Sequence, residues 1–205
     1  MIRTLVLVRH GESEFNAQNR FTGLTDVGLT AKGASEAEHV GARLAAEGLI
    51  PGTIFTSRLR RTVQSGLLIK SATGGEADLI CEEALNERDY GALTGLSKAE
   101  AARRWGDDQV RRWRRSYREA PPGGESLRDT VARVLPYVLR QILPRTLERN
   151  VAVVVGHGNG LRAIAFGLEE ISEAKIAELE FDTGQAVAYQ LSESGRLLGK
   201  VIVPI

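Results

Sequence analysis

Short apolar runs alternate along the chain with longer segments in which apolar and polar residues recur at helical spacing. The short runs are rich in β-branched side chains and are bounded by glycine or polar residues, which is typical of buried strands in parallel sheets. They cover residues 2–8, 53–56, 77–81 and 151–155. Two segments of alternating apolar residues, 186–191 and 197–203, flank Ser194-Gly195 and predict a terminal hairpin.

Helices are predicted between these strands. Thr30 is a suitable N-cap, and the helix that it starts extends to about Glu47 and ends at Gly48. The other helical segments are 58–71, one or two helices in 97–118, a long helix from 125 to 149 that Pro136 and Pro144 interrupt, and a helix from about 159. Residues 9–28, 86–95 and 121–124 are predicted loops. The alternation predicts an α/β fold: a three-layer sandwich with a mainly parallel sheet containing an antiparallel strand, in a single domain over residues 1–205.

Composition excludes several classes of protein. The chain of 205 residues carries 27 Lys and Arg against 26 Asp and Glu, a near-neutral balance that argues against non-specific binding to nucleic acid. A single cysteine, Cys81, excludes an internal disulfide and a cysteine-rich zinc site. The apolar runs are too short to cross a bilayer, and the first residues lack the pattern of a signal peptide. A cytoplasmic protein without a membrane partner is therefore expected.

Two predicted strands end in a histidine followed by a glycine, at Val8-Arg9-His10-Gly11 and at Val155-Gly156-His157-Gly158. Ligands of open α/β sheets bind outside the carboxyl ends of the strands, so both histidines are expected in one crevice. The glycines allow close approach of the backbone, and the helix that begins near Asn159 offers free N–H groups to an anion. The alternative is that two unrelated histidines follow two strands. The third histidine, His39, is predicted to lie on the surface of a helix.

Other catalytic motifs do not fit. The glycines around His157 lack the spacing of a dinucleotide-binding loop, and the chain has no Walker-type loop. Gly11-Glu12-Ser13 is not followed by the glycine that a nucleophile elbow requires. Three scattered histidines without a His-x-x-x-His pair argue against a catalytic zinc.

Arginines lie where a phosphate could be bound. Arg9 precedes the first histidine, and Arg58, Arg60 and Arg61 follow the second strand; a solvated helix face is the alternative for Arg58 or Arg60. Guanidinium groups bind phosphate through paired hydrogen bonds and keep their charge. Residues 103–118 add seven arginines among Trp and Tyr residues. An RNA-binding face is one interpretation, but acidic residues in the same segment favour a helix that supplies a few cations to an anionic pocket.

The segment Leu7-Val-Arg-His-Gly-Glu-Ser-Glu-Phe-Asn16 resembles the signature of the histidine phosphatase superfamily. Five further segments resemble the cofactor-dependent (2,3-bisphosphoglycerate-dependent) phosphoglycerate mutases of that superfamily, and the likeness extends over nearly the whole chain. They are Arg20-Phe-Thr-Gly23, Leu85-Asn-Glu-Arg-Asp-Tyr-Gly91, Trp113-Arg-Arg-Ser-Tyr117, Pro122-Gly-Gly-Glu-Ser126 and His157-Gly-Asn-Gly-Leu-Arg-Ala163.

The resemblance implies a role for each residue of the site. His10 would be the nucleophile, Arg9, Arg61 and His157 would surround the transferring phosphoryl group, and Glu87 would be the general acid and base. The alternative for Glu87, from its neighbour alone, is a loop carboxylate paired with Arg88. The implied substrate-binding residues are Ser13, Asn16, Thr22, Gly23, Arg88, Asp89, Tyr90, Lys98, Arg114, Arg115, Gly158 and Asn159.

The implied reaction interconverts 3-phosphoglycerate and 2-phosphoglycerate, with 2,3-bisphosphoglycerate as the priming phosphoryl donor, without a metal, in a dimer or tetramer. A histidine-type phosphatase for a small phosphorylated metabolite is the alternative. Phe15, Leu24 and Gly160 depart from the family pattern, as do the missing insertion after Pro122 and the missing C-terminal tail. These departures are expected to affect retention of the bisphosphorylated intermediate rather than the chemistry.

Overall fold

Six strands form one twisted sheet in the computed structural model, which describes residues 2–204. The strands lie in the order β3-β2-β4-β1-β5-β6 across the sheet. Their bounds are β1 Arg3–Arg9, β2 Thr53–Thr56, β3 Asp78–Cys81, β4 Val151–Gly156, β5 Ala186–Leu191 and β6 Leu197–Val203. Each strand lies within a residue or two of its predicted position.

The strand β1 occupies the middle of the sheet. It pairs in parallel with β4, where Val8 lies opposite Val155 and Arg9 opposite Gly156. It pairs antiparallel with β5, and β5 pairs antiparallel with β6 in the predicted hairpin. The predicted α/β sheet, mainly parallel with an antiparallel strand, is confirmed. Because β1 and β4 are parallel neighbours, the residues that follow them emerge side by side at one edge of the sheet.

Helices cover both faces of the sheet. Their bounds are α1 Glu14–Ala17, α2 Ala31–Ala46, α3 Arg60–Ala72, α4 Lys98–Trp105, α5 Asp107–Arg115, α6 Leu127–Tyr137, α7 Leu143–Arg149, α8 Gly158–Glu169 and α9 Glu173–Glu178. Val40 and Leu44 of α2 pack on Val6 and Val153, whereas α6 and α8 pack on the other face around Leu5. This gives the three predicted layers, with a buried core on each side of the sheet.

The helical pattern differs from the prediction in two places. The predicted loop after β1 contains the short helix α1, whose N-cap is Ser13. The segment 97–118, predicted as one or two helices, forms two that meet at Gly106, where φ is +80° and glycine is favoured. The prolines do not break the long helix, because a π-helical stretch, Val138–Ile142, follows Pro136 and joins α6 to α7. Proline has no backbone N–H to donate, and the wider π-helical turn lets the helix continue past it.

A small cluster outside the sheet supports the helices α4 and α5. It consists of Phe21, Leu93, Ala101, Val110 and Trp113, all buried. These side chains anchor both helices over the loop that follows β1, at the carboxyl edge of the sheet. Residues at the start of α4 and the end of α5 therefore face the end of β1.

Candidate active site

The two strand-end histidines lie in contact. His10 follows β1 and His157 follows β4, and their ring centroids are 5.0 Å apart in an edge-to-face arrangement. The structure therefore brings the two histidines together as expected, but His10 lines the cavity described below and His157 does not. Nδ1 of His10 lies 2.7 Å from the carbonyl oxygen of Gly11. In the neutral ring Nδ1 donates this hydrogen bond, which leaves Nε2 with a free lone pair.

Burial and positive charge keep both rings neutral. Burial is the largest cause that lowers the pKa of His10 well below its ordinary value of 6.5, and the charges of Arg61 and Arg9 lower it further. For His157, burial again comes first, followed by Arg61 and by His10 itself. At neutral pH the site therefore holds an unprotonated imidazole next to fixed cations, which is the state that a nucleophilic histidine needs.

A hydroxyl pair positions His157. Its Nε2 lies 2.9 Å from Oγ of Ser57, and that hydroxyl lies 2.6 Å from Oγ1 of Thr62. Both hydroxyl residues are completely buried. The other ring nitrogen of His157, Nδ1, is buried and has no partner within residues 2–204. Since buried polar atoms are nearly always satisfied, Nδ1 is available for a ligand.

Two arginines frame the histidine pair. The guanidinium of Arg61 is buried and donates to the carbonyl oxygens of Gly23 and Thr25, at 2.9 Å each. Burial lowers the pKa of Arg61 to about 10, so the group stays charged at neutral pH. Arg9 donates to the carbonyl of Phe181, and its Nε is buried without a partner in the described part of the chain. The positive charge is thus fixed in place before any ligand arrives.

Glu87 lies in the same crevice and is not paired with the side chain of Arg88. Oε1 of Glu87 accepts from the backbone N–H of Arg88 at 2.8 Å and from Nδ2 of Asn159 at 3.2 Å. The guanidinium of Arg88 instead donates to the carbonyl of Trp113 at 3.0 Å and lies 4.7 Å from the ring centroid of Tyr90. The alternative of a simple Glu87–Arg88 ion pair is therefore wrong. Both hydrogen bonds use Oε1, which leaves Oε2 for a ligand.

Arg133 of α6 holds the loop that carries Glu87. It donates to the carbonyl oxygens of Ala84 and Asn86 at 2.9 and 3.0 Å. It also donates to both carboxylate oxygens of Glu125, at 3.2 and 2.9 Å. Because one planar guanidinium binds these backbone carbonyls and Glu125 together, the irregular segment before Glu87 is fixed to the long helix.

A cavity of about 240 Å³ opens above the histidines. Of the residues predicted from the sequence, those that line it are Arg9, His10, Asn16, Thr22, Gly23, Arg61, Glu87, Tyr90, Lys98, Arg114, Arg115, Gly158 and Asn159. Burial lowers the pKa of Lys98, and Arg114, Arg9 and Arg115 lower it further. Arg9 and Arg61 beside His10, and Lys98, Arg114 and Arg115 of α4 and α5, therefore all bring positive charge to this one cavity.

The other four predicted residues are not among those that line the cavity. His157 is covered by the His10 ring and Ser57. The hydroxyl of Ser13 lies 2.8 Å from Oδ1 of Asn16 and fixes that side chain. Asp89 accepts the backbone N–H of Gly91 at 2.8 Å within its own loop, and Arg88 points towards α5 as described.

Several residues of the site were not predicted. Arg20, Phe21, Arg162, Glu180 and Phe181 also line the cavity. Arg162 lies three residues after Asn159 on α8 and donates to its Oδ1 at 3.1 Å, which turns Nδ2 towards Glu87. That helical spacing is a signal the sequence contained. Ser57 could have been found as the residue directly after β2, but nothing in the sequence points to Glu180 or Phe181.

Within residues 2–204, no group of three His, Cys, Asp or Glu side chains is arranged to hold a metal ion. The same residues include no helix that is long and apolar enough to cross a membrane.

Comparisons with known proteins agree with this geometry. The model of the histidine phosphatase superfamily (branch 1) matches residues 5–201. A 2,3-bisphosphoglycerate-dependent phosphoglycerate mutase of Xanthobacter autotrophicus is 50% identical over 97% of this chain and 96% of its own length. The protein of the same name from Mesorhizobium japonicum is 48% identical over 99% of both chains.

Among solved structures, a mycobacterial glucosyl-3-phosphoglycerate phosphatase in complex with VO3 is similar in fold. It superposes with a TM-score of 0.85 at 25% identity, over 99% of this chain and 98% of that chain.

Proposed function

The chain belongs to the histidine phosphatase superfamily, and on this premise we propose that it is a 2,3-bisphosphoglycerate-dependent phosphoglycerate mutase that interconverts 3-phosphoglycerate and 2-phosphoglycerate. The observation that carries the proposal is a second set of cations in the cavity that His10 lines, since a mutase must hold a doubly anionic ligand in two orientations. Lys98, Arg114 and Arg115 line this cavity in addition to Arg9 and Arg61. A phosphatase for a single phosphate has no need of them.

The nucleophile is Nε2 of His10. It attacks phosphorus, a P–N bond forms, and the bond from phosphorus to the departing oxygen breaks. Arg9 and Arg61 lie beside the ring and would donate to the equatorial phosphoryl oxygens, where charge accumulates in the transition state. Nδ1 of His157 carries a proton when Ser57 donates to Nε2, and it then adds a third donor.

Glu87 handles the proton of the substrate oxygen. Oε2 gives a proton to the oxygen that leaves phosphorus, and in the return step it takes the proton of the hydroxyl that attacks phosphohistidine. Asn159 and the backbone of Arg88 hold Oε1, so the carboxyl group is oriented before the substrate binds.

The residues present fit 2,3-bisphosphoglycerate, which supplies the phosphoryl group that loads His10. Two unpartnered buried donors, Nδ1 of His157 and Nε of Arg9, lie at the histidine end. Lys98 and Arg114 form no ion pair with a carboxylate in the described part of the chain. These cations and donors can neutralise the negative charge of the phosphoryl group, and we therefore propose that the reaction needs no metal cofactor.

We also propose that residues 1–205 act as one domain, in the cytoplasm, as a dimer or tetramer. One continuous sheet supports the single domain. The exposed apolar side chains of Leu198, Val201 and Ile202 on the edge strand β6 support an interface between copies. Phosphoglycerates are the only partners that the site itself requires.

The test is conversion of 3-phosphoglycerate to 2-phosphoglycerate in EDTA, with and without trace 2,3-bisphosphoglycerate, together with an assay of free phosphate. Isomerisation that bisphosphoglycerate stimulates, with little phosphate release, is expected. Lys98→Ala and Arg114→Ala should impair it strongly.

A superfamily phosphatase is the second candidate, favoured by the fold similarity to the mycobacterial phosphatase. Phosphate release without isomerisation, unaffected by those two substitutions, would establish it and overturn the mutase.

A further inference from the structure

A second carboxylate lies in a cavity that is otherwise cationic. Among residues 2–204, seven Lys and Arg side chains line the cavity, but only two carboxylates do so, Glu87 and Glu180. Glu87 has its place in the proton transfer. Glu180 follows the end of α9 and has no part in the chemistry described above. An anion in an anion-binding cavity opposes ligand binding, so its presence calls for a physical explanation.

Glu180 is paired with two arginines. Its Oε2 lies 3.0 Å from the guanidinium of Arg162, and its Oε1 contacts the guanidinium of Arg115. Arg115 also donates to the carbonyl of Ala177 at 3.2 Å. The donors of Arg115 therefore face the protein's own carboxylate in the site, although Arg115 lies where the second anionic group of a substrate would bind.

The exposure of the three side chains differs. The side chain of Arg162 is 10% exposed and that of Arg115 is 37% exposed, whereas that of Glu180 is 57% exposed. The arginines are held by other contacts within the fold. The carboxylate of Glu180 is the most exposed of the three groups and can be solvated by water when the ion pairs open, while Arg162 keeps its hydrogen bonds to Asn159 and to the carbonyl of Leu179.

We propose that Glu180 is a specificity-determining residue: a resident carboxylate that occupies Arg115 in the empty cavity and exchanges with the anionic group at the far end of the ligand. A ligand with one anionic end binds at the histidines and leaves Glu180 in place. A ligand with two anionic ends has to displace it, which weakens binding and speeds release at that end. The inference rests on the proposed function for its biological meaning, but the exchange itself can be measured without turnover.

The experiment compares Glu180→Gln with Glu173→Gln by calorimetry. Both substitutions remove one carboxylate that pairs with an arginine; Glu173 pairs with Arg118 on the surface and does not line the cavity. They change the net charge equally, so the long-range attraction of anions is matched. The probes are propane-1,3-bisphosphonate, which has two anionic ends and cannot be turned over, and inorganic phosphate, which has one.

Glu180→Gln is expected to tighten binding of the bisphosphonate about tenfold and to change binding of phosphate less than twofold, while Glu173→Gln changes both less than twofold. Equal effects of the two variants, or weaker bisphosphonate binding in Glu180→Gln, would overturn the proposal. Since neither probe is a phosphoglycerate, this result does not depend on whether the chain isomerises 3-phosphoglycerate.

Discussion

Replacement of Glu87 by glutamine removes the proposed proton donor and almost nothing else. The amide oxygen can still accept from the backbone N–H of Arg88 and from Nδ2 of Asn159, which now bond to Oε1 at 2.8 and 3.2 Å. The new NH₂ group takes the place of Oε2, the oxygen that faces the cavity. It has nearly the same volume but no proton to release at neutral pH. The variant is therefore expected to fold and to bind ligands.

The size of the effect follows from what remains in the cavity. In the part of the chain that the structure describes, Glu180 is the one other carboxylate that lines it, and its oxygens are bound to Arg115 and Arg162. No second acid is therefore positioned at the substrate oxygen. General acid catalysis is worth about 10²–10⁴-fold, which corresponds to about 2.7–5.4 kcal/mol in the barrier. We expect the upper half of this range for phosphoryl transfer from a phosphoglycerate to His10.

The assay compares two phosphoryl donors in rapid-quench experiments. Alkoxide leaving groups need a proton, whereas 4-nitrophenolate leaves as a stable anion. Glu87→Gln should slow phosphorylation of His10 by 2,3-bisphosphoglycerate by the stated factor and should slow phosphorylation by 4-nitrophenyl phosphate less than about threefold. Equal losses with both donors would refute the reasoning, because they would show that the carboxylate positions the phosphoryl group instead of protonating the leaving oxygen.

Three further predictions concern the structure around this site. The pKa values of His10 and His157 are lowered in the folded chain, so the unfolded chain binds protons that the folded chain does not. The free energy of unfolding should therefore fall as the pH drops below 6.5, by up to about 1.4 kcal/mol per pH unit for each histidine. Urea unfolding at pH 7.5, 6.5 and 5.5 measures this slope. Gly33→Ala places a Cβ 2.0 Å from the carbonyl oxygen of Glu12, so it should cost at least about 2 kcal/mol and lower the midpoint of thermal unfolding by about 4–8 °C. Arg133→Met should release the loop that carries Glu87 and slow phosphoryl transfer from bisphosphoglycerate about 10–100-fold, with a smaller effect on 4-nitrophenyl phosphate.

Each of these has a matched control. His39→Gln replaces an exposed histidine, and an unchanged pH slope in a His10→Gln variant would contradict the first prediction. Glu38→Ala adds an alanine at an exposed position of the same helix as Gly33 and should leave the thermal midpoint in place. Arg140→Met removes an exposed arginine that follows the same helix, and equal losses in both arginine variants would show that the loop is not held as described.

Local patterns sufficed to predict the sheet and the histidine pair. His10 and His157 were found because parallel neighbours end at one edge, and the register of β1 with β4 brings them there. The hydroxyl of Ser57 and the two ion pairs of Glu180 were not found. Their partners lie far away in sequence, and no periodicity connects residues that meet only through tertiary packing.

The central position of β1 has a consequence for synthesis of the chain. Thr4 pairs with Val151 on one side and with Gln190 on the other, so the first strand has no neighbour until much later strands exist. At about 5–20 residues per second, the wait on the ribosome is on the order of ten seconds. During that time the segment before His10 is an unpaired apolar strand, exposed to chaperones. His10, the proposed nucleophile, therefore acquires its buried surroundings only after β4 and β5 have been synthesised.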